Sequence, residues 1–575
     1  MQANTARMVL IGAALFMASA STFLFVGFSA VGGLVWVDTL RAVLVFVSTF
    51  WLAWGAALAT AGLFHRPRRR RPRAMRKQAG RCAILVPVYK EDPPATFSRI
   101  AAMSAGLSAA GTHERFDFVV LSDTPSGGSA DAERAWFEHM AHRQIARKSI
   151  FYRRRTDNRG KKAGNIEDFI RRSGGAYAYA VILDADSLMS SETLVTLVRR
   201  MDTEPDLGLL QTLPRVIGAQ TFFGRAMQFA ASYYSPVFSR GLALVQGKEG
   251  PFWGHNAIVR MEAFASSCGL PVLAGKPPFG GHVLSHDYVE AALLARAGWR
   301  VEMDPSLGGS FEEGPENVVE HARRDRRWCQ GNLQHMRLLP APGLKPWSRF
   351  IFLQGIMSYL CSPIWLAFLA TSIVASALPP LEYATFSEMA FARQAATALA
   401  VAIIAMLVLP KLAIVARGAL DGTNARFGGN TRVLWSVITE IAFSSLLTPV
   451  MLMLQTRSVA QVLVGADGGW PATSRDQRHL TLGQAFEASW WITATGAVAL
   501  AATLVYAPDL LVWLLPVSVP MLIAPVLIAG SSMPAREGDG ALFATIEERM
   551  RVPAIENRNA VLADWQREAT ATTLS

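Results

Sequence analysis

Apolar runs too long for the core of a small soluble domain bracket this chain. Met8–Val31 and Val43–Phe64 open it, and further runs lie at 356–378, 395–416, 490–507 and 509–530. Each approaches the roughly 20 residues that a helix needs to cross the hydrocarbon of a bilayer. A multi-pass helical membrane protein is therefore the first expectation, and a charged fraction of only 17% among 575 residues agrees with it. Met8–Val31 reads as a signal anchor rather than a cleaved leader. Gly32-Gly33-Leu34-Val35-Trp36 offers no convincing cleavage site, and a second apolar run follows at once.

His65–Lys77 carries eight Arg and Lys and no acid. Such a run suits nucleic acid or anionic lipid, but directly after an apolar run it is foremost a positive-inside signal. It places the end of the second span in the cytoplasm. The stretch from Arg536 onward is also charged, with Glu547, Glu548, Arg549 and Arg551, and is expected on the same side. An even number of crossings must then follow Arg417. Leu434–Leu454 is apolar but holds Glu440 and Pro449, with Arg457 close behind. Parity makes 434–464 a helix along the cytoplasmic face or a re-entrant one, giving six crossings, with eight as the alternative. The four cysteines (Cys82, Cys268, Cys329, Cys361) have no paired or metal-like spacing and read as structural.

Between Arg81 and Lys345 the apolar runs shorten and glycine and aspartate become frequent. Cys82–Tyr89 reads as a strand, 95–110 as a helix, and Phe116–Leu121 as a second strand ending at Ser122-Asp123. Ala180–Leu183 is a third, running into Asp184-Ala185-Asp186-Ser187. Strands separated by helical segments, each delivering a polar residue at its end, argue for an α/β domain. Its largely parallel sheet would carry a nucleotide site along one edge. Two carboxylates two residues apart repel and need a cation, and hard oxygens beside a phosphate suit Mg²⁺ or Mn²⁺. Alone, Asp-x-Asp is also a common turn and cap pattern.

Other segments add chemistry. Arg153–Asn165 holds six basic residues around glycines, a diphosphate cradle or a solvated basic loop, and Lys162 beside Gly164-Asn165 stands apart. Stacking aromatics of the kind nucleic-acid binding uses are not interleaved beyond Tyr152, so no nucleic-acid partner is expected. Phe222–Val245 is an amphipathic helix, for a core or a bilayer surface. Gly250–Ala257 is a glycine-framed turn whose Trp253 suits a sugar face or plain packing, and His255 reads as a hydrogen-bonding partner. Asp287 opens a helix, where an acid also serves as a cap. Arg323-Arg324-Asp325-Arg326-Arg327-Trp328 either clamps a diphosphate or marks a cytoplasmic face.

Taken in order, these pieces resemble the membrane-embedded family 2 glycosyltransferases, the group of cellulose, chitin and hyaluronan synthases. The residues that carry the likeness are Val86–Glu91, Asp123, Lys162–Asn165, Asp184–Asp186, the Gly254 loop, Asp287 and Arg324–Trp328. A closer likeness is to the branch that makes osmoregulated periplasmic glucans. It rests on Phe151–Arg155, Gly164–Phe169, Leu183–Ser187, Trp253–Ala257, Leu284–Asp287, Arg324–Leu333 and Gly355–Leu360. Enterobacterial members carry a long extension before the first span, whose roles are not transferred to this chain.

The resemblance implies an α/β GT-A (Rossmann-like) domain set in a transmembrane bundle. That divides the chain into two membrane helices over 1–64, a basic linker over 65–80 and a glycosyltransferase domain over 81–345. Membrane and interfacial helices follow over 346–530, then a cytoplasmic tail over 531–575. It further implies inverting transfer from UDP-glucose to a growing β-glucan acceptor, in the bacterial inner membrane with the catalytic domain cytoplasmic. Tyr89, Glu91 and Asp123 would hold uracil and ribose. Asp186, with Asp184, would hold the metal, and Asp184 would also lie by the ribose or diphosphate. Lys162, Arg324 and Arg327 would neutralise departing UDP, Asp287 would be the base, and Trp328, Trp253, Gly254 and His255 would meet the acceptor. Implied partners are membrane lipid, periplasmic glucan-processing proteins and an activating protein. If the spans form a passage for product, Gly465–Trp470 is a candidate gate. The rival readings are a synthase of another polysaccharide, cellulose- or hyaluronan-like, and a transporter with a degenerate nucleotide-binding insert.

Overall fold

The computed structural model describes residues 2–30, 33, 35–65, 80–143, 149–378, 385–466, 478–535 and 542–573. The whole basic run after His65, residues 467–470 of the candidate gate, and Arg536 lie outside them.

The soluble insert is built on a seven-stranded sheet. Its spatial order is Arg300–Asp304, Leu207–Thr212, Ala257–Arg260, Tyr179–Ile182, Cys82–Val88, Phe116–Ser122, Ile150–Arg154. The last four run parallel to one another, while Ala257–Arg260 is antiparallel to both its neighbours. Cys82–Val88 is buried along nearly all its length. Hydrophobic clusters on each of its faces explain its unbroken apolar run, as expected for a parallel strand covered on both sides. The expected strands at 82–89, 116–121 and 180–183 are present within a residue or so. The fourth parallel strand, Ile150–Arg154, runs into the start of the basic run, where Arg153 and Arg154 cut its apolar stretch to three residues. A small second sheet, Leu188–Met189, Ser310–Glu313 and Arg215–Ile217, lies just beyond Asp-x-Asp.

Local sequence sets the elements that matter for the site. Helix Pro93–Ala109 starts on Asp92, whose carboxylate accepts from the Ala95 amide at 3.3 Å, with proline in the first turn. Helix Lys161–Ser173 begins after Gly160, which takes a left-handed φ of 69°. The amphipathic segment expected as one helix over 222–245 is two, Phe222–Tyr233 and Ser235–Gln246. The junction falls where Pro236 withdraws an amide from the first turn of the second.

Six described helices are long and apolar enough to cross a membrane: Ala3–Ser29, Trp36–Phe64, Pro346–Ala377, Phe386–Asp421, Asn430–Leu463 and Leu482–Tyr506. Their contacts show how four of them stand together on the domain. At one end Arg7 donates to Val245 O at 2.7 Å and lies 4.1 Å from the Trp347 ring, while Leu63 and Ile414 pack with Phe229 and Val237. At the other end Phe25 meets Phe368 at 5.7 Å.

The run expected as a span over 509–530 is broken instead. Pro508–Leu522 and Ala524–Ser531 meet at 60°, with Pro516 and Pro520 inside the first piece. The broken pair nevertheless returns to the domain: just after it, Met533 O accepts from the Phe222 amide at 3.0 Å, and the Ala535 amide donates to Gln220 O at 2.9 Å.

Asn430–Leu463 behaves differently. Tyr234 donates to Glu440 at 3.0 Å near its start, and Leu447, Val450 and Met453 pack with Phe223 and Val318 at its middle. Gln455 donates to Asp325 at 3.1 Å, and Arg326 to Gln461 at 3.1 Å, near its end. A helix in contact with the soluble domain along its whole length lies against it, whatever its composition would allow.

The tail closes the fold from the other side. Phe543 enters the cluster of Phe229 and Tyr233, Arg225 and Gln228 donate to Glu548, and helix Pro553–Thr573 packs along Pro93–Ala109 with Trp565 3% exposed. Truncating a tryptophan so buried costs about 3–5 kcal/mol.

Candidate active site

The carboxyl ends of the parallel strands converge on one group of charges. Tyr179–Ile182 ends two residues short of Asp184, whose amide donates to Ser187 Oγ at 3.0 Å and fixes the turn. Lys162, in the first turn of its helix, donates to Asp184 Oδ1 and, at 2.8 Å, to Gly254 O. Burial works to raise the Asp184 pKa, but Lys162 and His255 outweigh it and hold it at about 2.

Around this pair stand the other expected residues. Arg324 comes within 3.9 Å of Asp186. Arg327 is lowered in pKa by burial and by Arg324, against the pull of Glu91 and Asp184, so these four groups share one field. His255 Nε2 lies 3.5 Å from Glu312. Burial disfavours its charged form, but Asp184 and Glu312 more than compensate and its pKa is raised. Asp287 occupies the first turn of helix His286–Arg296 and faces Gly254. Gly254 has φ +84°, a left-handed value that favours glycine.

Asp123 is present at the end of its strand but engaged: Arg155 forks onto it, donating from Nε to Oδ1 and from Nη2 to Oδ2 at 2.9 Å. Arg155 also ties the following loop through Arg159 O at 3.0 Å and Lys161 O at 2.8 Å. The neighbouring Arg153 donates to Asp168 at 2.8 Å, and Arg154 to Ser126 at 3.1 Å. The basic run is thus spent largely on internal pairs, and Lys162 is the member that reaches the Asp-x-Asp loop.

Tyr89 follows the first strand, with the Lys90 ammonium 5.7 Å from its ring. Trp253 is half-buried on the side of the membrane helices, in the cluster of Leu10, Trp54 and Trp347. Trp328 is 52% exposed on its helix.

Two participants escape a reading of the sequence: Glu312, and Arg155 as the partner of Asp123. Burial, with Asp186 and Asp184, raises the Glu312 pKa against His255, so a third carboxylate belongs to the Asp-x-Asp group. Its signal was a short strand, Ser310–Glu313, ending in acids like the strands already recognised.

Two family models match the chain, "Glycosyl transferase family group 2" over residues 179–412 and "Glycosyl transferase family 2" over 83–267. Among solved structures, a mannosyltransferase from Pyrobaculum calidifontis in complex with GDP-Man and Mn²⁺ is 18% identical. The match covers 65% of this chain and 98% of that one with a TM-score of 0.43. Fold and family models together define an α/β glycosyltransferase of family 2 whose domain is flanked by helices long and apolar enough to cross a membrane.

Whole-chain relatives narrow the class. The glucans biosynthesis glucosyltransferase H of Cereibacter sphaeroides is 53% identical over 98% of this chain and 95% of its own length. Those of Caulobacter vibrioides and Vibrio cholerae are 42% and 39% identical over 84% and 89% of this chain, and 74% and 72% of theirs. The chain belongs to the glucans biosynthesis glucosyltransferase H family, a glycosyltransferase of glucan synthesis.

Proposed function

We propose that the chain transfers glucose from UDP-glucose, with inversion, to a growing β-glucan at the cytoplasmic face of the inner membrane. Gly254 carries the reading. Its carbonyl is held by Lys162, the partner of Asp184, and its α-carbon faces Asp287. One residue therefore joins the nucleotide end of the site to a carboxylate placed to act as base.

The donor set fits a divalent ion. Mg²⁺ commonly binds through one or two carboxylates plus substrate phosphates, and Asp186 with Asp184 offers such oxygens in a field of guanidinium groups. When bound, the ion would supply charge neutralisation for the diphosphate. The chain's own groups do the rest. Arg324, Arg327 and Lys162 hold the diphosphate and receive its developing charge, while Tyr89, Glu91 and Asp123 border the nucleoside.

Asp287 takes the proton of an acceptor hydroxyl, whose oxygen bonds to the anomeric carbon from the face opposite the diphosphate. The bond from that carbon to UDP breaks, and its electron pair leaves with UDP. A single displacement inverts the centre and needs one base. His255 and the turn at Trp253-Gly254 lie on the acceptor side, with Trp328 on the adjoining helix. Lipid surrounds the bundle, and the glucan passes to periplasmic proteins that process it.

The test is UDP release and glucan linkage analysis with the purified chain in lipid nanodiscs. Asp287→Asn is expected to abolish transfer with UDP affinity retained. Loss of UDP binding instead would move Asp287 to the donor site, and an unmodified chain that releases no UDP from UDP-glucose would remove the donor assignment.

A further inference from the structure

The Asp-x-Asp loop is held from behind by a residue that none of the site chemistry uses. Arg99, on helix Pro93–Ala109, is 2% exposed, among the most deeply buried large side chains of the chain. Its Nη1 donates to Ala185 O at 3.1 Å, the carbonyl between the two aspartates, and to Ala95 O at 2.9 Å. Its Nη2 donates to Glu313 Oε1. The same carboxylate oxygen accepts from Arg558 Nη2 at 2.8 Å, and Arg558 belongs to the tail helix Pro553–Thr573.

Glu313 ends the short strand that pairs with Leu188–Met189, immediately after Asp-x-Asp, and its chain neighbour is Glu312 of the active-site group. A carboxylate between two guanidinium groups balances their repulsion. A buried arginine bonded to a carbonyl has few alternative positions.

We infer that the tail helix is a positioning element of the catalytic site. Arg558, through Glu313 and Arg99, sets the Ala185 carbonyl and so the placement of Asp184 and Asp186 for donor and metal. The inference rests on the reading of Asp184 and Asp186 as the donor and metal residues. Its consequence is that changes far from the sheet edge, on the tail, alter nucleotide affinity without altering proton transfer.

The logic of the trio sets an order of effects. Arg558→Ala leaves Glu313 paired with Arg99 and is expected to weaken UDP binding in the presence of Mn²⁺ by a few-fold. Glu313→Gln removes the charge that both arginines share and is expected to weaken it more, by about tenfold. The double variant is expected to fall short of the product of the two, because Arg558→Ala relieves the repulsion that Glu313→Gln creates. Arg558→Lys is expected to restore most of the affinity.

The experiment titrates UDP with Mn²⁺ into the full chain in nanodiscs by calorimetry, alongside thermal unfolding and UDP release from UDP-glucose. The inference holds if UDP affinity falls in that order while the unfolding midpoint of Arg558→Ala stays at the parent value. Parent-like affinity in Arg558→Ala and Glu313→Gln, or affinity loss that only tracks a fall in the midpoint, overturns it. A parent chain that neither binds UDP nor releases it overturns the functional reading itself, which keeps the two failures apart.

Discussion

The α-carbon of Gly254 faces the side chain of Asp287: a methyl group built there would stand 3.5 Å from both Cβ and Oδ2 of the aspartate. That spacing is ordinary contact, so room alone does not forbid alanine. The backbone does resist it, since φ at Gly254 is +84° and a left-handed residue with a Cβ costs on the order of 1–2 kcal/mol. Gly254→Ala is therefore expected to shift the turn against Asp287 and lower turnover by about 100-fold, the scale of a displacement of about 1 Å at a reacting group. A rate assay with UDP binding measured in parallel checks it, and unchanged turnover would separate this turn from the role proposed for Asp287.

Asp186 and Asp184 differ in their surroundings, and their variants are expected to differ accordingly. Asp186→Ala removes a carboxylate 3.9 Å from Arg324 and should abolish the dependence of UDP affinity on Mg²⁺ or Mn²⁺. Asp184→Asn leaves the Lys162 ammonium without its anionic partner and should destabilise the domain as well. Calorimetric titration of UDP with and without metal distinguishes them. Metal dependence surviving in Asp186→Ala would transfer the ion to other ligands.

Arg155 holds Asp123 in a two-pronged pair whose side chains are 15% and 5% exposed. Removing one partner of so covered a pair leaves the other uncompensated. Arg155→Met is expected to cost about 3 kcal/mol. The unfolding midpoint should drop and UDP affinity with it, since the Arg159 and Lys161 carbonyls lose their donor. A midpoint equal to the parent's would show that solvent already screens the pair.

His286 and Glu290 form a 3.0 Å pair beneath Asp287. Burial lifts the Glu290 pKa and opposes the charged imidazolium of His286, but Glu290 and Asp287 outweigh that and raise His286 as well. Both groups thus hold protons in the folded chain that the unfolded chain releases sooner. Their stabilisation is complete only at low pH: the share of Glu290 is lost as pH climbs past the ordinary glutamate value, from about 4.3 upward, and that of His286 past the ordinary histidine value, from about 6.5 upward. The unfolding midpoint should decline over that range. Glu290→Gln should flatten the decline, and an unaltered slope would assign it to other groups.

Much of this site could be read from residue order. Strands ending in acids, Lys162 ahead of Asn165 and Asp287 at a helix start are local patterns, and their spacing follows strand and helix geometry. Arg155, Glu312 and Arg99 could not be read that way. Arg155 meets Asp123 across 32 residues, and Arg99 meets Glu313 across 214. Only the sheet order and the strand Ser310–Glu313 bring such partners together. The helices show the same division. The composition of Asn430–Leu463 permits a span, whereas Tyr234, Asp325 and Arg326 hold it against the domain.

By itself, the sequence determined the class of fold, the long apolar runs and the chemical types along the sheet edge, because periodicity, apolar length and turn chemistry act over a few residues. Tertiary structure decided which charges are spent on one another. It paired Asp123 with Arg155 and Asp184 with Lys162, added Glu312, and tied the tail to the Asp-x-Asp loop. A carboxylate's partner depends on distance in space, and along the chain that distance has no fixed trace.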